Sequence, residues 1–302
     1  MSQEKIPSYD YDTAVELLAL CKQTGLDIAG IALARECAER ACPATTPLEK
    51  MLEHYRVMRA SIRKGLEIQN LSPSKLSGGD AAKLYAYAQT AAPLLGADFA
   101  RTIAYGFAVL EVNAQFGRIV ATPTAGSAGI VPACLAILEE TRGISEERCA
   151  RALFTAAGIG IIIGKNACFS GAQGGCQAEV GSASCIAAAA ITEACGGTPE
   201  QACNAGAFAL MNTLGLVCDP IGGYVEVPCV SRNGMFAVHS FLAATMALAG
   251  ARCVVPLDDV IIAMRDIGRR MPRSLKETAL AGLAQTPSGL QFPPQGFDAK
   301  QQ

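Results

Sequence analysis

Hydrophobic residues recur along this chain with the spacing of α-helices. The clearest example is a face of six residues that lie one, three or four positions apart: Leu48, Met51, Leu52, Tyr55, Met58 and Ile62. Residues at this spacing share one side of a helix. Strand-like alternation is almost absent, and only residues 224–230 (YVEVPCV) could pair as a strand. The pattern predicts an all-α fold, a compact multi-helix domain.

Capping residues indicate where several helices begin and end. Thr13-x-x-Glu16 is typical of a capping box, and Gly25 ends that segment. Thr46-Pro47 predicts another start, because proline at the first helical position costs no hydrogen bond. Further helices are predicted over residues 80–95, 99–116, 146–163, 177–195, 198–215 and 233–249, with later starts at Pro256 and at Ser274-x-x-Glu277.

The chain shows one soft boundary, the Ser-rich stretch 70–77. It divides an N-terminal helical segment, residues 1–75, from a larger domain, residues 76–290. We expect the two to form one continuous domain. The Pro/Gln-rich residues that follow Thr286 predict a loose tail, assigned to residues 291–302.

Composition excludes several classes of protein. Apolar residues make up 51% of the 302 residues, charged residues 17%, and the net charge is −2, which argues against a nucleic-acid surface. The longest apolar stretches, 156–164 and 185–194, are too short to span a bilayer. The polar N-terminus does not resemble a secretory signal, so the thirteen cysteines are expected to be free thiols in the cytoplasm.

Four loops rich in Gly, Ser and Thr interrupt the helices: residues 77–80 (SGGD), 122–129 (TPTAGSAG), 170–175 (SGAQGG) and 218–223 (CDPIGG). Glycine lets backbone N–H groups approach a ligand, and a helix N-terminus favours an anion. Four such loops predict a small anionic ligand such as a carboxylate. Ordinary tight connections are the alternative for any single loop.

Three cysteines differ from the rest, because Cys176, Cys218 and Cys229 lie at loop–helix junctions. Helix N-termini favour the thiolate that metals bind. The C-x₂-C pairs of zinc sites and of electron-transfer clusters are missing. Spacing alone therefore leaves open whether these thiols bind a metal or are buried core residues.

Five segments resemble the alpha chain of iron–sulfur-dependent L-serine dehydratases. They are residues 76–87 (LSGGDAAKLYAY), 121–135 (ATPTAGSAGIVPACL), 170–184 (SGAQGGCQAEVGSAS), 219–235 (DPIGGYVEVPCVSRNGM) and 271–289 (MPRSLKETALAGLAQTPSG). The resemblance implies a catalytic domain whose loops surround a [4Fe–4S] cluster held by Cys176, Cys218 and Cys229. It also implies conversion of L-serine to pyruvate and ammonia, and a separate beta subunit, a homo-oligomer, or both.

With three cysteine ligands, one iron would stay free to act as a Lewis acid on the serine hydroxyl. We expect the loops to bind the substrate through seven residues: Ser77, Gly78, Thr124, Gly126, Ser127, Ser170 and Gly171. The base that removes the α-proton is expected to be Lys165 or Ser170. Glu179, Arg232 and Asn233 could orient the substrate or the cluster.

Three alternatives remain at this stage. A pyridoxal-phosphate enzyme would use Lys165 as the Schiff base, but it would not explain the junction cysteines. A related cluster-dependent lyase could remove sulfide from L-cysteine, since both leaving groups depart from the same carbon. A non-catalytic subunit could bind serine or a partner without reacting.

Overall fold

The computed structural model describes residues 9–292, and that part of the chain contains helices but no β-strand. The all-α prediction is therefore confirmed. The helices are α1 (Ala14–Thr24), α2 (Ile28–Arg40), α3 (Thr45–Leu66), α4 (Asp80–Ala88), α5 (Ala97–Ala114), α6 (Ile130–Arg142), α7 (Glu146–Asn166), α8 (Gly171–Gly174), α9 (Ser182–Ala194), α10 (Pro199–Met211), α11 (Cys229–Leu248) and α12 (Leu257–Arg270). A π-helical turn, Gln177–Gly181, leads directly into α9.

The capping signals located two helices correctly. Thr13 and Glu16 form a reciprocal capping box at the start of α1, and Gly25 ends that helix in the left-handed conformation. Thr198 and Gln201 form the same arrangement at α10. No bounds were predicted for α2, for α6 or for the single turn of α8.

Three sequence-based predictions of elements were wrong. The helix over 80–95 ends at Ala88, ahead of Pro93, which disfavours helical geometry in the residue before it. Ser274 begins no α-helix, because Glu277 has a φ of +62° and its amide is bonded to a distant loop. Residues 224–230 form no strand, since Glu226 N–H bonds to the nearby Tyr224 carbonyl and α11 begins at Cys229.

Helix α9 lies at the centre of the fold. Its first eleven residues, Ser182 to Thr192, are all buried, and it packs against α6, α7, α10 and α11. A helix that is apolar on all sides is a core helix, and its alanines let the neighbouring helices approach closely. This arrangement accounts for the low charge and high alanine content.

The segment before residue 76 packs onto the later helices, with α2 against α7 and α3 against both α5 and α7. The largest hydrophobic cluster includes buried residues from both parts of the chain, from Tyr11 to Met264. The boundary near residues 70–77 stays a prediction. Residues 286–292 include a 3-10 turn, Gly289–Gln291, and most of the predicted tail, 293–302, lies outside the described residues.

Across residues 9–292, no single helix is both long and apolar enough to cross a membrane. Only α1 and α2 taken together, with a bend of 92° between them, reach that length and composition.

Candidate active site

Three loops bring Cys176, Cys218 and Cys229 into one buried place, which we call the thiol pocket. Cys176 directly precedes the π-helical turn, Cys218 lies in the loop after α10, and Cys229 is the first residue of α11. Their exposed fractions are 1%, 3% and 6%. Burial raises the pKa of Cys218, and the neighbouring Cys176 and Cys229 add to that increase; Cys176 likewise adds to the raised pKa of Cys229. The three thiols therefore lie close enough to influence one another's ionisation.

Two carboxylates complete the thiol pocket. One oxygen of Glu179, the Cys218 Sγ and one oxygen of Glu277 all lie within 4.8 Å of one another. Burial raises the pKa of Glu179, while a hydrogen bond with Thr124 opposes that increase. One thiol and two carboxylates at these distances could together bind a metal.

Arg232 provides positive charge beside the thiols. Burial raises the pKa of Cys176 to about 11, although the charge of Arg232 and a hydrogen bond from it act in the opposite direction. The guanidinium also donates to the Val217 carbonyl at 3.0 Å and pairs with Asp219 at 3.4 Å. Arg232 therefore favours the thiolate form of Cys176 and fixes the loop that carries Cys218.

Asn233 joins two of the loops. Its Nδ2 donates to the carbonyls of Gly126 at 2.8 Å and Cys229 at 2.9 Å, and its Oδ1 accepts from Gly129 N–H at 2.8 Å. The residue is completely buried. This side chain holds residues 126–129 against the start of α11.

Gln177 also joins separate segments of the chain, on the other side of the pocket. Its Nε2 donates to the carbonyls of Gly174 and Met264, and its Oε1 accepts from Gly215 N–H. The side chain fixes the turn after Cys176 to α12 and to the loop that leads to Cys218.

Gly171 and Gly126 form parts of the pocket wall that have no room for a side chain. A Cβ on Gly171 would lie 2.9 Å from Cys218 Sγ and 2.9 Å from an oxygen of Glu179. On Gly126 it would lie 3.3 Å from the other Glu179 oxygen. The predicted residues Gly126 and Gly171 thus border the thiol pocket, and Ser170 directly precedes Gly171.

The loop 122–127 also reaches the pocket. Thr124 bonds to Glu179, and its Oγ1 lies 3.0 Å from the hydroxyl of the buried Ser127. The Oγ1 of Thr122 is buried without a hydrogen-bond partner among the described residues. A buried hydroxyl of this kind is available to a ligand.

The hydrogen-bonding groups of the loop 77–80 are engaged within the protein. Ser77 donates to Glu226, which also accepts from Ser72 and Ser74. The amides of Gly79, Asp80 and Ala81 donate to the buried carboxylate of Glu111. Gly78 has a φ of +129°, and a Cβ there would lie 2.3 Å from a backbone oxygen. The anion expected at this helix N-terminus is therefore a side chain of the protein itself.

Lys165 lies at the end of α7 and contacts the N-terminal segment. Its ammonium donates to the Tyr11 carbonyl at 2.8 Å and forms an ion pair with Asp12. Its side chain is 36% exposed. Lys165 therefore joins the end of α7 to the N-terminal segment.

Sequence reasoning missed Glu277, which it assigned to a helix cap. Glu277 has left-handed backbone geometry, which cannot be predicted from the sequence at a residue other than glycine. The only available signal was that Glu277 lies in segment 271–289, one of the five that carry the resemblance.

Comparison with known proteins shows which sequences this chain resembles. Residues 23–284 match the profile of a family described as Serine dehydratase alpha chain. The chain is 47% identical to the "Probable L-serine dehydratase, alpha chain" of Bacillus subtilis (strain 168), over 91% of each chain. It is 41% identical to the "L-serine dehydratase, alpha chain" of Peptoniphilus asaccharolyticus, over 92% of this chain and 95% of that one. The "L-serine dehydratase" of Streptomyces coelicolor is 41% identical over 93% of this chain but only 62% of its own length.

Proposed function

This chain belongs to the serine dehydratase alpha chain family, and we propose that it converts L-serine to pyruvate and ammonia. The observation that supports this most strongly is the thiol pocket, in which three buried cysteines and two carboxylates meet. The names of the relatives supply the substrate.

We propose that Cys176, Cys218 and Cys229 hold a [4Fe–4S] cluster. The residues fit this group, because three thiols without a histidine are the donors that such clusters take. Arg232 supports the fit, since its charge stabilises thiolate at Cys176. When bound, the cluster supplies a Lewis acid that makes hydroxide a better leaving group.

The loops around the pocket would bind the two charged ends of serine. Thr124 and Ser127 place hydroxyl groups in the loop beside it, and the buried Thr122 Oγ1 lacks a partner among the described residues. Ser170 directly precedes Gly171, whose added Cβ would lie against Cys218 and Glu179. We assign these loops, with Gly126 and Gly171, to the substrate carboxylate. The carboxylate of Glu179 is assigned to the substrate ammonium. Ser77 and Gly78 would act indirectly, because Ser77 positions Glu226 three residues before Cys229.

We assign removal of the α-proton to the carboxylate of Glu277. Of the two carboxylates beside Cys218, Glu179 is bonded to Thr124 and is assigned to the substrate ammonium, which leaves Glu277 for the proton. As the proton moves to Glu277, the electrons of the C–H bond form the Cα–Cβ double bond and hydroxide leaves Cβ. The aminoacrylate then tautomerises and takes up water to release ammonia.

A separate beta chain is the partner that we propose, on the basis of the words "alpha chain" in the names of two relatives. The free thiols support a reducing, cytoplasmic setting.

Anaerobic purification with iron and sulfide analysis, followed by a pyruvate assay on L-serine, tests this function. We expect bound iron and sulfide and activity that is lost in air. An assay on L-cysteine runs in parallel, and a preference for L-cysteine would replace serine dehydration by desulfidation. Protein that carries no iron after anaerobic purification and forms no pyruvate would favour the non-catalytic alternative.

A further inference from the structure

A second cavity lies behind α8, separate from the thiol pocket. It has a volume of about 190 Å³, is partly open, and lies between the end of α7, α8 and α12. The single turn of α8 separates the two places. Gly171 at its start faces Cys218, whereas a Cβ on Gly174 at its end would lie 2.9 Å from Cys168 Sγ, in the wall of the second cavity.

The charged side chains that line this cavity are both arginines, Arg265 and Arg269, and no carboxylate lines it within the described residues. They lie four residues apart on α12, where like charges repel each other. The side chain of Arg265 is 35% exposed, and its contacts with the protein are long. Its Nε pairs with Asp266 at 3.7 Å, and its Nη1 donates to the Asn166 carbonyl at 3.3 Å. A guanidinium has five N–H donors, so Arg265 can donate to a further acceptor in the cavity.

The rest of the lining indicates what the acceptor carries. Ala167, Ala178 and Met264 form an apolar wall. Arginine presents a planar fork that matches a carboxylate, and a carboxylate with a short hydrocarbon body suits an apolar wall. We propose that this cavity binds a short aliphatic carboxylate, with its charge on Arg265 and its carbon atoms against Ala167, Ala178 and Met264. The proposal does not depend on the reaction at the thiol pocket.

The test uses Cys168, a half-buried thiol in the cavity wall. Anaerobically prepared protein is alkylated with iodoacetamide while propionate is titrated, and the rate at each cysteine is followed by peptide mass spectrometry. At ten times the half-saturating concentration, we expect alkylation of Cys168 to slow about tenfold. Cys253, a half-buried thiol outside the cavity, should react at an unchanged rate in the same sample.

Two variants with the same charge change test the role of Arg265. Arg265→Gln should abolish protection by propionate, whereas Arg270→Gln, on the same helix but outside the lining, should keep it. If Arg265→Gln does not fold by circular dichroism, Ala167→Leu fills the cavity instead and should abolish protection equally. Protection that is absent, is matched by chloride at equal ionic strength, or persists in these variants would overturn the proposal. Protection by inorganic phosphate but not by propionate would overturn the choice of a carboxylate.

Discussion

The amide of Glu277 donates to the carbonyl of Cys218 at 2.7 Å, and the amide of Cys218 donates to the Leu275 carbonyl at 2.9 Å. These two bonds join the segment after α12 to the loop that carries the thiol. The carboxylate of Glu277 is therefore positioned by the backbone of the cysteine that it faces. Asp219 strengthens the same connection, because its Oδ2 accepts from Leu283 N–H at 2.8 Å.

Glu277→Gln should lower kcat for L-serine by about 10²- to 10⁴-fold, the usual contribution of a general base. Iron content should stay unchanged, because glutamine keeps the size of the side chain and leaves the backbone bonds to Cys218 intact. Steady-state pyruvate formation and iron analysis of the same preparation measure both quantities.

Lys165→Met is the control for this assignment. Its ammonium is paired with Asp12, so kcat should change by no more than a few-fold. A large loss of kcat in Lys165→Met together with a small loss in Glu277→Gln would reverse the assignment of the base.

Gly171→Ala should reduce the amount of iron that the protein retains. The added methyl group would lie 2.9 Å from Cys218 Sγ, so the thiol or the loop must move, and overpacking of this kind costs about 1–3 kcal/mol. Gly160→Ala in α7 is the matched control, because nothing lies within 4 Å of its added Cβ. It should raise stability by up to about 1 kcal/mol and leave the iron-to-protein ratio unchanged. Equal iron content in both variants would contradict a site beside Gly171.

The fold was largely predictable because its helices carry local signals. The capping box of Thr13 and Glu16 and the period of residues 48–62 depend only on neighbours in the sequence. No bounds were predicted for α2, although Asp27 caps it by accepting from Gly30 N–H. Part of what holds that helix is distant in sequence, since Glu193 accepts from its first two amides, on Ile28 and Ala29.

The candidate site was predictable only in part, because several of its contacts join residues that are far apart in the sequence. The three cysteines stand out by their position at loop–helix junctions. Residues 77–80, by contrast, look like an anion site until Glu111 is seen bonded to their amides, 30 to 32 residues away in sequence. The ion pair of Lys165 with Asp12 likewise joins residues 153 positions apart. Long-range pairing of this kind leaves no trace in a single sequence.

Each of the three single replacements by serine, at Cys176, Cys218 or Cys229, should abolish iron binding. A hydroxyl group is a poor substitute for thiolate toward iron. Cys203→Ala, which removes another buried thiol, should keep the full iron content and lose only packing energy. Iron and sulfide analysis after anaerobic purification distinguishes the two groups, and loss of iron in Cys203→Ala would refute the choice of ligands.

Asn233→Ala should destabilise the protein by about 2–4 kcal/mol, because it leaves the amide of Gly129 and two carbonyls without their partner in the core. Asn212→Ala removes an exposed amide that donates to the Phe208 carbonyl four residues earlier. Its effect should stay within about 0.5 kcal/mol. Urea unfolding of both variants provides the comparison. A similar loss in the two would mean that Asn233 does not hold the loops together.

Tyr11 should make the stability of the protein fall at alkaline pH. Burial raises its pKa from 10.0 to about 12, although the charge of Arg35 opposes the increase. Between these values the folded protein holds the phenolic proton more tightly than the unfolded chain does, so stability is lost as pH rises above 10. At pH 11 the loss relative to pH 8 should be about 1.4 kcal/mol.

In Tyr11→Phe, the hydrogen bond to the Gly158 carbonyl is missing at every pH, which should cost about 1 kcal/mol at pH 8. Phenylalanine also has no phenolic proton to lose, so its stability does not fall for this reason as pH rises. Urea unfolding should therefore find the wild-type protein and Tyr11→Phe equally stable near pH 11. A gap that stays constant from pH 8 to pH 11 would show that Tyr11 does not titrate in this way.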